Sequence, residues 1–527
     1  MNTIQFLKSL GLGVVLCGTI ATATTQVNAD ENSVKDALTH WLNYERPAEY
    51  EALVTDVRPV MRDGSELSCT LVVPAINGVA AEGAFPGVIN NVGPYALLEV
   101  FFVNQLEELA TLGYQGLTCR VRGSGDSDGE FTSFGTEDEW RDNYDLVEWL
   151  AAHPGSNGRI AFEGASYGGM TSLQAAIRKP PHLVTVVPQV PASDLYRDFI
   201  FRGGVKSRPY TSGNWPIATS LMNFPGMSPW RIWEQWYAHP TEDSFWVNAM
   251  PIHWVDSIEV PMLIAPGWAD DVLPNGGIRL YEKMVALGKA DNTWLYSGDW
   301  DHDMASFQRN VVIAWLDYWL QQREDAPLPP SHVVSYEMGS EGDIKAFQQW
   351  PPAGVKTWTL ALNPDGTLAE QAGSAGELSF AQDKWSGLIG SPDMLVFRSA
   401  PLTEDIVIAG DMTVSMQASY DGEQATLHAR LLSLQGDAEQ LIKEGWLNVS
   451  HRHSHAQPEP IPVNQPVQVS VDIGATHHRI PAGSQLVLTL SGVDTWDWQP
   501  VANRVNATVA VGAGGSVLSL TVLSVEN

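Results

Sequence analysis

The stretch Phe162–Met170, FEGASYGGM, decides how the rest of the chain is read. It sets Gly164, Ser166 and Gly168 in a Gly-x-Ser-x-Gly pattern. The apolar run GRIAF (158–162) precedes it and the helix-prone run MTSLQAAIRK (170–179) follows. A strand that turns sharply into a helix needs small residues on both sides of the turn, and such a turn exposes the hydroxyl at its apex. The stretch therefore predicts a strand, a tight elbow carrying Ser166, and a helix.

The surroundings repeat the theme. SCTLVVP, FPGVINNV, YQGLTCRV, RIAFEG and LVTVVPQV read as strands between Ser68 and Val190. VFFVNQLEELATLG, WRDNYDLVEWLAAHP and MTSLQAAIRK read as amphipathic helices. This alternation predicts a mostly parallel sheet covered by helices. From Ser193 to Asp256 the texture changes to aromatics, Pro and Gly, with Trp215, Trp230, Trp233, Trp236 and Trp246, and reads as a helical cap insertion. Alternation resumes from residue 257 to 330, through VPMLIAPGW, GGIRLYEKMVALG, NTWLYSG and NVVIAWLDYWLQQ. From residue 331 to 527 only short β-prone runs separated by Gly, Asp and Pro appear, as in an all-β sandwich. The expected order is a leader (1–29), the first part of an α/β body (30–192), the cap (193–256), the second part of the body (257–330) and the sandwich. A chain of 527 residues is long enough for about three domains.

Composition narrows the function. There are 61 acidic and 30 basic residues, for a formal charge of −31. A polyanion such as nucleic acid would be repelled, and no basic patch stands out. Lys8 is the only charge before Asp30, SLGLGVVLCGTIATA is an apolar core, and VNA (27–29) ends in a small residue. This is the pattern of a cleaved secretory signal, and the expected location is a periplasm or the exterior. Bulky Leu16 before Cys17 does not suit a lipoprotein site. Two cysteines remain, Cys69 and Cys119, in predicted strands. Export permits a disulfide, but cross-strand disulfides demand tight geometry, so two buried thiols are expected.

An elbow serine in a body of this kind is followed in sequence by an acid and then a histidine, each just past a strand. VPMLIAPG is followed by Asp270 and Asp271. NTWLYSG is followed by His302, between Asp301 and Asp303. A serine hydroxyl is a poor nucleophile at neutral pH. A histidine takes its proton and returns it to the leaving group, while a carboxylate orients the imidazole and stabilises its charged form.

At this point the motifs form a set. RVRGSGDSDGEF (120–131) resembles the Arg-Gly-x-Gly-x-Ser-x-Gly-x-Phe stretch of the X-Pro dipeptidyl-peptidase/cocaine-esterase family of serine hydrolases. DLVEWLAAHPGSNGRIAFEGASYGG (145–169) resembles its helix, strand and Gly-x-Ser-Tyr-x-Gly elbow. PGWAD resembles Gly-Trp-x-Asp and singles out Asp270 over Asp271 as the triad acid. GDWDH resembles Gly-x-Trp-x-His and singles out His302. LIKEGWLNVSHR and IPAGSQLVLTLSG resemble stretches of the family's C-terminal jelly roll. The resemblance implies an α/β-hydrolase fold with an inserted cap and a jelly roll. It also implies an oxyanion hole from the Tyr95 hydroxyl, in NNVGPYALL, and the Tyr167 backbone N–H.

The expected activity is hydrolysis of carboxylic esters or amides through an acyl-enzyme, on a small-molecule or peptide acyl substrate, with no cofactor and no metal. The alternatives are an X-Pro dipeptidyl-peptidase, an α-amino-acid ester hydrolase, or a non-catalytic binding protein with a relic triad. Relatives that cleave α-amino esters carry carboxylates shortly after the triad acid, where this chain has Val272 and Leu273, and residues 30–58 are too short for the helical N-terminal domain of Gram-positive dipeptidyl-peptidases. Both points favour acyl hydrolysis. Asp194, Asp198, Asp271 and Trp268 are the candidate substrate-binding residues. SHRHSH places His451, His453 and His455 on one face if the segment is a strand, with a structural role preferred to a metal.

Overall fold

The computed structural model describes residues 31–95, 98–207, 229–383, 393–493, 498–502 and 504–523. The leader (1–29), Trp215 and the middle of the expected cap lie outside the described residues.

The first half is built on one sheet. Its strands are β1 (Glu51–Val57), β2 (Cys69–Ile76), β3 (Phe85–Asn90), β4 (Gln115–Cys119), β5 (Ser156–Ala165), β6 (Leu183–Gln189), β7 (Met262–Ile264), β8 (Thr293–Ser297), β9 (Val333–Tyr336) and β10 (Ile344–Phe347). They lie in the order β1-β2-β4-β3-β5-β6-β7-β8-β9-β10. From β4 to β9 the neighbours are parallel, and the two edges are antiparallel. The interior strands are mostly apolar because helices cover both faces. Side chains alternate between two cores: Val88 and Ala161 pack on one face, Ile89 and Phe162 on the other. Helices α1 (Glu31–Leu42), α2 (Glu99–Thr111), α3 (Glu137–Ala152) and α4 (Tyr167–Arg178) precede the insertion. The insertion holds a hairpin (Phe201–Arg202 with Val205–Ser207), α5 (Pro229–Tyr237) and α6 (Ser244–Ala249). Then α7 (Gly276–Ala286) and α8 (Asn310–Leu316) return to the sheet.

Two expectations need correction. The body does not end at residue 330: β9 and β10 extend its sheet to Phe347, because β9 pairs in parallel with β8. Their apolar residues also suit a sandwich strand, and only pairing assigns them. Cys69 and Cys119 are not thiols. They face each other across β2 and β4 and form a disulfide.

The second half is an antiparallel sandwich. Its strands are β11 (Lys356–Leu362), β12 (Gly376–Asp383), β13 (Met394–Arg398), β14 (Ile406–Tyr420), β15 (Thr426–Gln435), β16 (Ala438–Asn448), β17 (Val467–Ile480), β18 (Gln485–Ser491), β19 (Arg504–Val511) and β20 (Val517–Leu523). One sheet runs β11-β20-β14-β19-β12 with β17 on β14; the other runs β13-β18-β15-β16. Alternate residues of both sheets, such as Val414, Met416, Leu427 and Leu488, meet in one core. The sandwich also reaches the insertion, where Trp498–Gln499 pairs with Val205–Ser207. Among the described residues no helix is long and apolar enough to cross a membrane.

Candidate active site

Ser166 stands between β5 and α4 with φ 58° and ψ −114°, a backbone conformation costly for a residue with a side chain. The turn is held by its Ser166 N–H, which donates to Gln189 O at 2.9 Å, and by Ala165 N–H, which donates to Asn91 Oδ1 at 2.8 Å. The flanking glycines serve close packing. A Cβ on Gly168 would stand 2.5 Å from Asn91 Oδ1, and one on Gly164 2.8 Å from the Gly168 backbone. The strand, the elbow and the helix lie where FEGASYGGM predicts them.

Asp270 and His302 sit on the loops after β7 and β8, so the parallel sheet brings both to the end of β5. His302 Nε2 is 2.9 Å from Ser166 Oγ, and His302 Nδ1 is 3.1 Å from Asp270 Oδ2. A proton on Nδ1, donated to the carboxylate, leaves Nε2 free to accept the serine proton. Asp270 is 3% exposed. Burial opposes its charge, but the His302 imidazole and the N–H groups of Val272 and Leu273, each 2.9 Å from Oδ1, outweigh it and hold its pKa below the ordinary carboxylate range. Burial also opposes a charge on His302. Asp270 beside it, then Asp271 and Asp301, more than compensate and raise its proton affinity above the usual imidazole range.

Tyr95 lies across from the elbow. Its hydroxyl meets both Ser166 and the Tyr167 backbone N–H, and burial raises its pKa, so it remains a proton donor at neutral pH. Gly93 and Pro94 bring it there: the Gly93 N–H donates to Cys119 O at 3.1 Å, which ties this loop to the end of β4 beside the disulfide. The hydroxyl and the N–H form a pair of donors beside the Ser166 side chain, the arrangement that stabilises a developing oxyanion.

A cavity of about 780 Å³ opens over Ser166. Its wall is largely aromatic and aliphatic, with Phe102, Phe134, Phe199 and Trp236 among its members, and Phe101 forms an exposed lip. Asp271, Asp301 and Asp303 give it an acidic margin. Of the four expected substrate-binding residues, Asp271 lines this cavity. The other three do not, which corrects the expectation. Asp194 is buried and receives Arg197, Asp198 is buried against Arg279, and Trp268 is buried against Trp350 with its indole N–H donating to Ser335 Oγ at 3.0 Å. Asp194 and Asp198 face arginines and Trp268 faces Ser335 inside the protein, where sequence spacing gives no sign of it.

Two further groups bear on metal binding. Asp194, Glu242 and His253 bring their ligand-type atoms within 4.8 Å of one another, but Arg197 lies 2.9 Å from Glu242 and 3.6 Å from Asp194 and offsets part of their charge. The histidines of SHRHSH lie on a short helical turn and a bend rather than a strand. His451 and His455 pack together, with Nδ1 atoms 3.3 Å apart and burial pushing both down to about 4, while His453 faces solvent.

Sequence reasoning did not single out Glu139 or Glu163. Glu139, on α3, accepts the Tyr167 hydroxyl at 2.6 Å, and burial raises its pKa to about 7. Glu163, inside the elbow strand, is fully buried and paired with Arg309 at 2.8 Å. A carboxylate within an apolar strand, as in FEGAS, is the one local sign of such a pair.

The chain is similar to known proteins. The family pattern described as X-Pro dipeptidyl-peptidase (S15 family) matches residues 63–222 and 221–303, and that of the X-Pro dipeptidyl-peptidase C-terminal non-catalytic domain matches residues 327–509. The chain is similar to cocaine esterase of Rhodococcus sp. (strain MB1 Bresler), 21% identical over 541 residues, covering 84% of this chain and 90% of that protein. Among solved structures it is similar to an aminopeptidase from a marine sediment archaeon, Thaumarchaeota archaeon (TM-score 0.76, 20% identity, 92% of this chain and 98% of that one). It is also similar to an α-amino acid ester hydrolase (TM-score 0.73, 20% identity, 91% of this chain and 98% of that one).

Proposed function

Because the chain belongs to the X-Pro dipeptidyl-peptidase and cocaine-esterase family of serine hydrolases, we propose that it cleaves carboxylic esters or amides through a Ser166–His302–Asp270 triad and an acyl-enzyme. The observation that carries this reading is the pair of contacts at His302, 2.9 Å to Ser166 Oγ on one side and 3.1 Å to Asp270 on the other. Ser166 attacks the carbonyl carbon and His302 takes its proton. Negative charge on the carbonyl oxygen is received by the Tyr95 hydroxyl and the Tyr167 N–H. His302 then protonates the leaving group, and water repeats the cycle to release the acid. The aromatic wall favours an apolar acyl group.

Export belongs to the same proposal. It is supported by the leader pattern of residues 1–29 and by the Cys69–Cys119 disulfide, a bond that persists in oxidising compartments. Sequencing the N-terminus of protein recovered outside the cytoplasm tests it; a mature chain that still begins at Met1 would overturn it.

The activity test uses two reporters on the purified chain, a short-chain p-nitrophenyl ester and glycyl-prolyl-p-nitroanilide, with Ser166→Ala as control. The expected result is cleavage of the ester, little of the anilide, and essentially no turnover by the folded variant. Efficient anilide cleavage would make the protein a dipeptidyl-peptidase. Wild-type turnover in Ser166→Ala would remove the triad.

A further inference from the structure

The loop that carries Asp270 forms no helix or strand from Pro266 to Asn275, so contacts from other elements help to set its shape. Arg202, from the insertion, donates to the Asp271 and Val272 carbonyl oxygens and stacks over Trp446 of the sandwich. Two more attachments come from the sandwich itself. Lys443 Nζ donates to Pro274 O at 3.3 Å, and the Ala475 N–H donates to Asn275 Oδ1 at 3.4 Å. Gly474, with φ 96°, makes room for this approach: a Cβ there would stand 2.7 Å from the Asn275 side chain.

Lys443 is placed by a defect in the sandwich. In the β15–β16 pairing Leu431 faces Lys443, but Leu432 faces Leu441, so Ile442 is an extra residue. Such a bulge breaks the alternation of a strand and re-aims its side chains. Ile442 joins the sandwich core while Lys443, next to it, is also buried, at 8% exposure. Among the described residues no carboxylate lies within ion-pair distance of its ammonium, which is left with the Pro274 carbonyl as its hydrogen-bond acceptor. An ammonium buried without a counterion lowers stability, so stability alone gives no reason for it. The charged groups around it are Asp270 on the loop, Arg202 in the insertion, Asp472 on β17 and Arg279 on α7. Burial lowers its pKa to about 8, and Asp270 is the group that most opposes this fall.

We propose that the sandwich is a working part of the active site and that Lys443 is the positioning residue through which it acts on the triad acid. This rests on the triad reading above. Lys443 fixes the loop that holds Asp270 and sets a positive charge beside that carboxylate. The charge favours the ionised form of Asp270 and disfavours a proton on His302, whose other charged neighbours are Asp271 and Asp301.

The experiment compares full-length wild type, Lys443→Met, Lys443→Arg and Asn275→Ala. It measures kcat, KM and the pH profile with a p-nitrophenyl ester, melting temperature, and active-site titration with a fluorophosphonate. Lys443→Met is expected to lower kcat about tenfold or more, leave KM within about twofold, and move the acidic limb of kcat/KM to higher pH. Lys443→Arg is expected to restore most of kcat and the original limb. Asn275→Ala, which removes the other contact without touching a charge, is expected to lower kcat a few-fold with the limb unmoved. If Lys443→Met does not fold, Lys443→Gln is read in its place. A wild-type kcat and pH profile in the Met or Gln variant would overturn the proposal. So would equal losses in the Met and Arg variants that track the loss of melting temperature, since that is a purely structural role. A wild-type protein that neither turns over the ester nor reacts with the fluorophosphonate would instead overturn the triad reading.

Discussion

The Tyr167 hydroxyl donates to the Glu139 carboxylate at 2.6 Å beneath the elbow, in the interior of the body. Tyr167 is the residue whose backbone N–H meets the Tyr95 hydroxyl, so a buried carboxylate on α3 anchors one side of the proposed oxyanion site. Burial raises the Glu139 pKa from 4.5 to about 7. Between those values the folded protein keeps a proton that the unfolded chain has released, so this group's contribution to stability is present below about pH 4.5 and lost as pH rises through about 7. Glu139→Gln keeps an acceptor for Tyr167 and removes the titration. Melting temperature measured from pH 4 to 8 is expected to fall less steeply in the variant than in wild type; identical slopes would refute the assignment.

Tyr95→Phe removes one of the proposed oxyanion donors and keeps the ring. Losses of about 100- to 1,000-fold in kcat accompany removal of such a donor, and that range is expected here, with KM little changed and the near-ultraviolet spectrum retained. Stopped-flow acylation by a p-nitrophenyl ester measures it. A loss below about threefold would show that the hydroxyl faces no developing charge.

The proposed reaction needs a neutral imidazole, and Asp270 raises the proton affinity of His302 above its ordinary value of 6.5. The acidic limb of kcat/KM is therefore expected above pH 6.5, with activity rising as pH increases. Asp270→Asn removes the charge that holds the proton, so the limb moves down while kcat falls by about 10,000-fold, as for loss of the orienting carboxylate in other triads. A pH-rate profile of both proteins tests the direction. A limb that moves up in Asp270→Asn contradicts the geometry.

The Cys69–Cys119 disulfide closes a loop with a sequence separation of 50 residues and lies beside the Gly93–Tyr95 loop. Replacing both cysteines with serine is expected to cost about 2–4 kcal/mol of stability, read by urea denaturation, with kcat nearly unchanged at 25 °C. An unchanged unfolding midpoint would mean that the cross-link constrains nothing the strands do not already hold.

Phe101 is 59% exposed at the lip of the cavity. An exposed side chain contributes little to the core, so Phe101→Ala is expected to leave stability within about 0.5 kcal/mol. KM for a long-chain p-nitrophenyl ester is expected to rise several-fold while KM for the acetate ester stays constant. Equal effects on both esters would place Phe101 outside the acyl path.

The elbow, the parallel strands and the order Ser166, Asp270, His302 were legible because they are local. A strand end, a glycine beside a serine and an acid one turn past a β-strand are each written in a few neighbouring residues. The membership of β9 and β10 in the body sheet was not legible, because their apolar runs suit either half and hydrogen-bonded partners decide between them. Asp194 and Asp198 show the same limit. Their spacing after β6 suits a substrate-facing position, yet each turns inward to an arginine, one of them 81 residues further along the chain.

The sequence by itself determined which side chains stand at the strand ends, since a serine after β5, an aspartate after β7 and a histidine after β8 are fixed by residue type and by the right-handed succession of strand and helix. The tertiary structure alone decided which charges are buried beside that chemistry and which face water. Glu139 and Lys443 look like ordinary surface residues in the chain, and only its apolar neighbours set Glu163 apart. Burial shifts the proton affinities of Glu139 and Lys443 and gives Glu163 its partner Arg309, because the cost of a charge depends on the dielectric and the neighbours that folding brings to it.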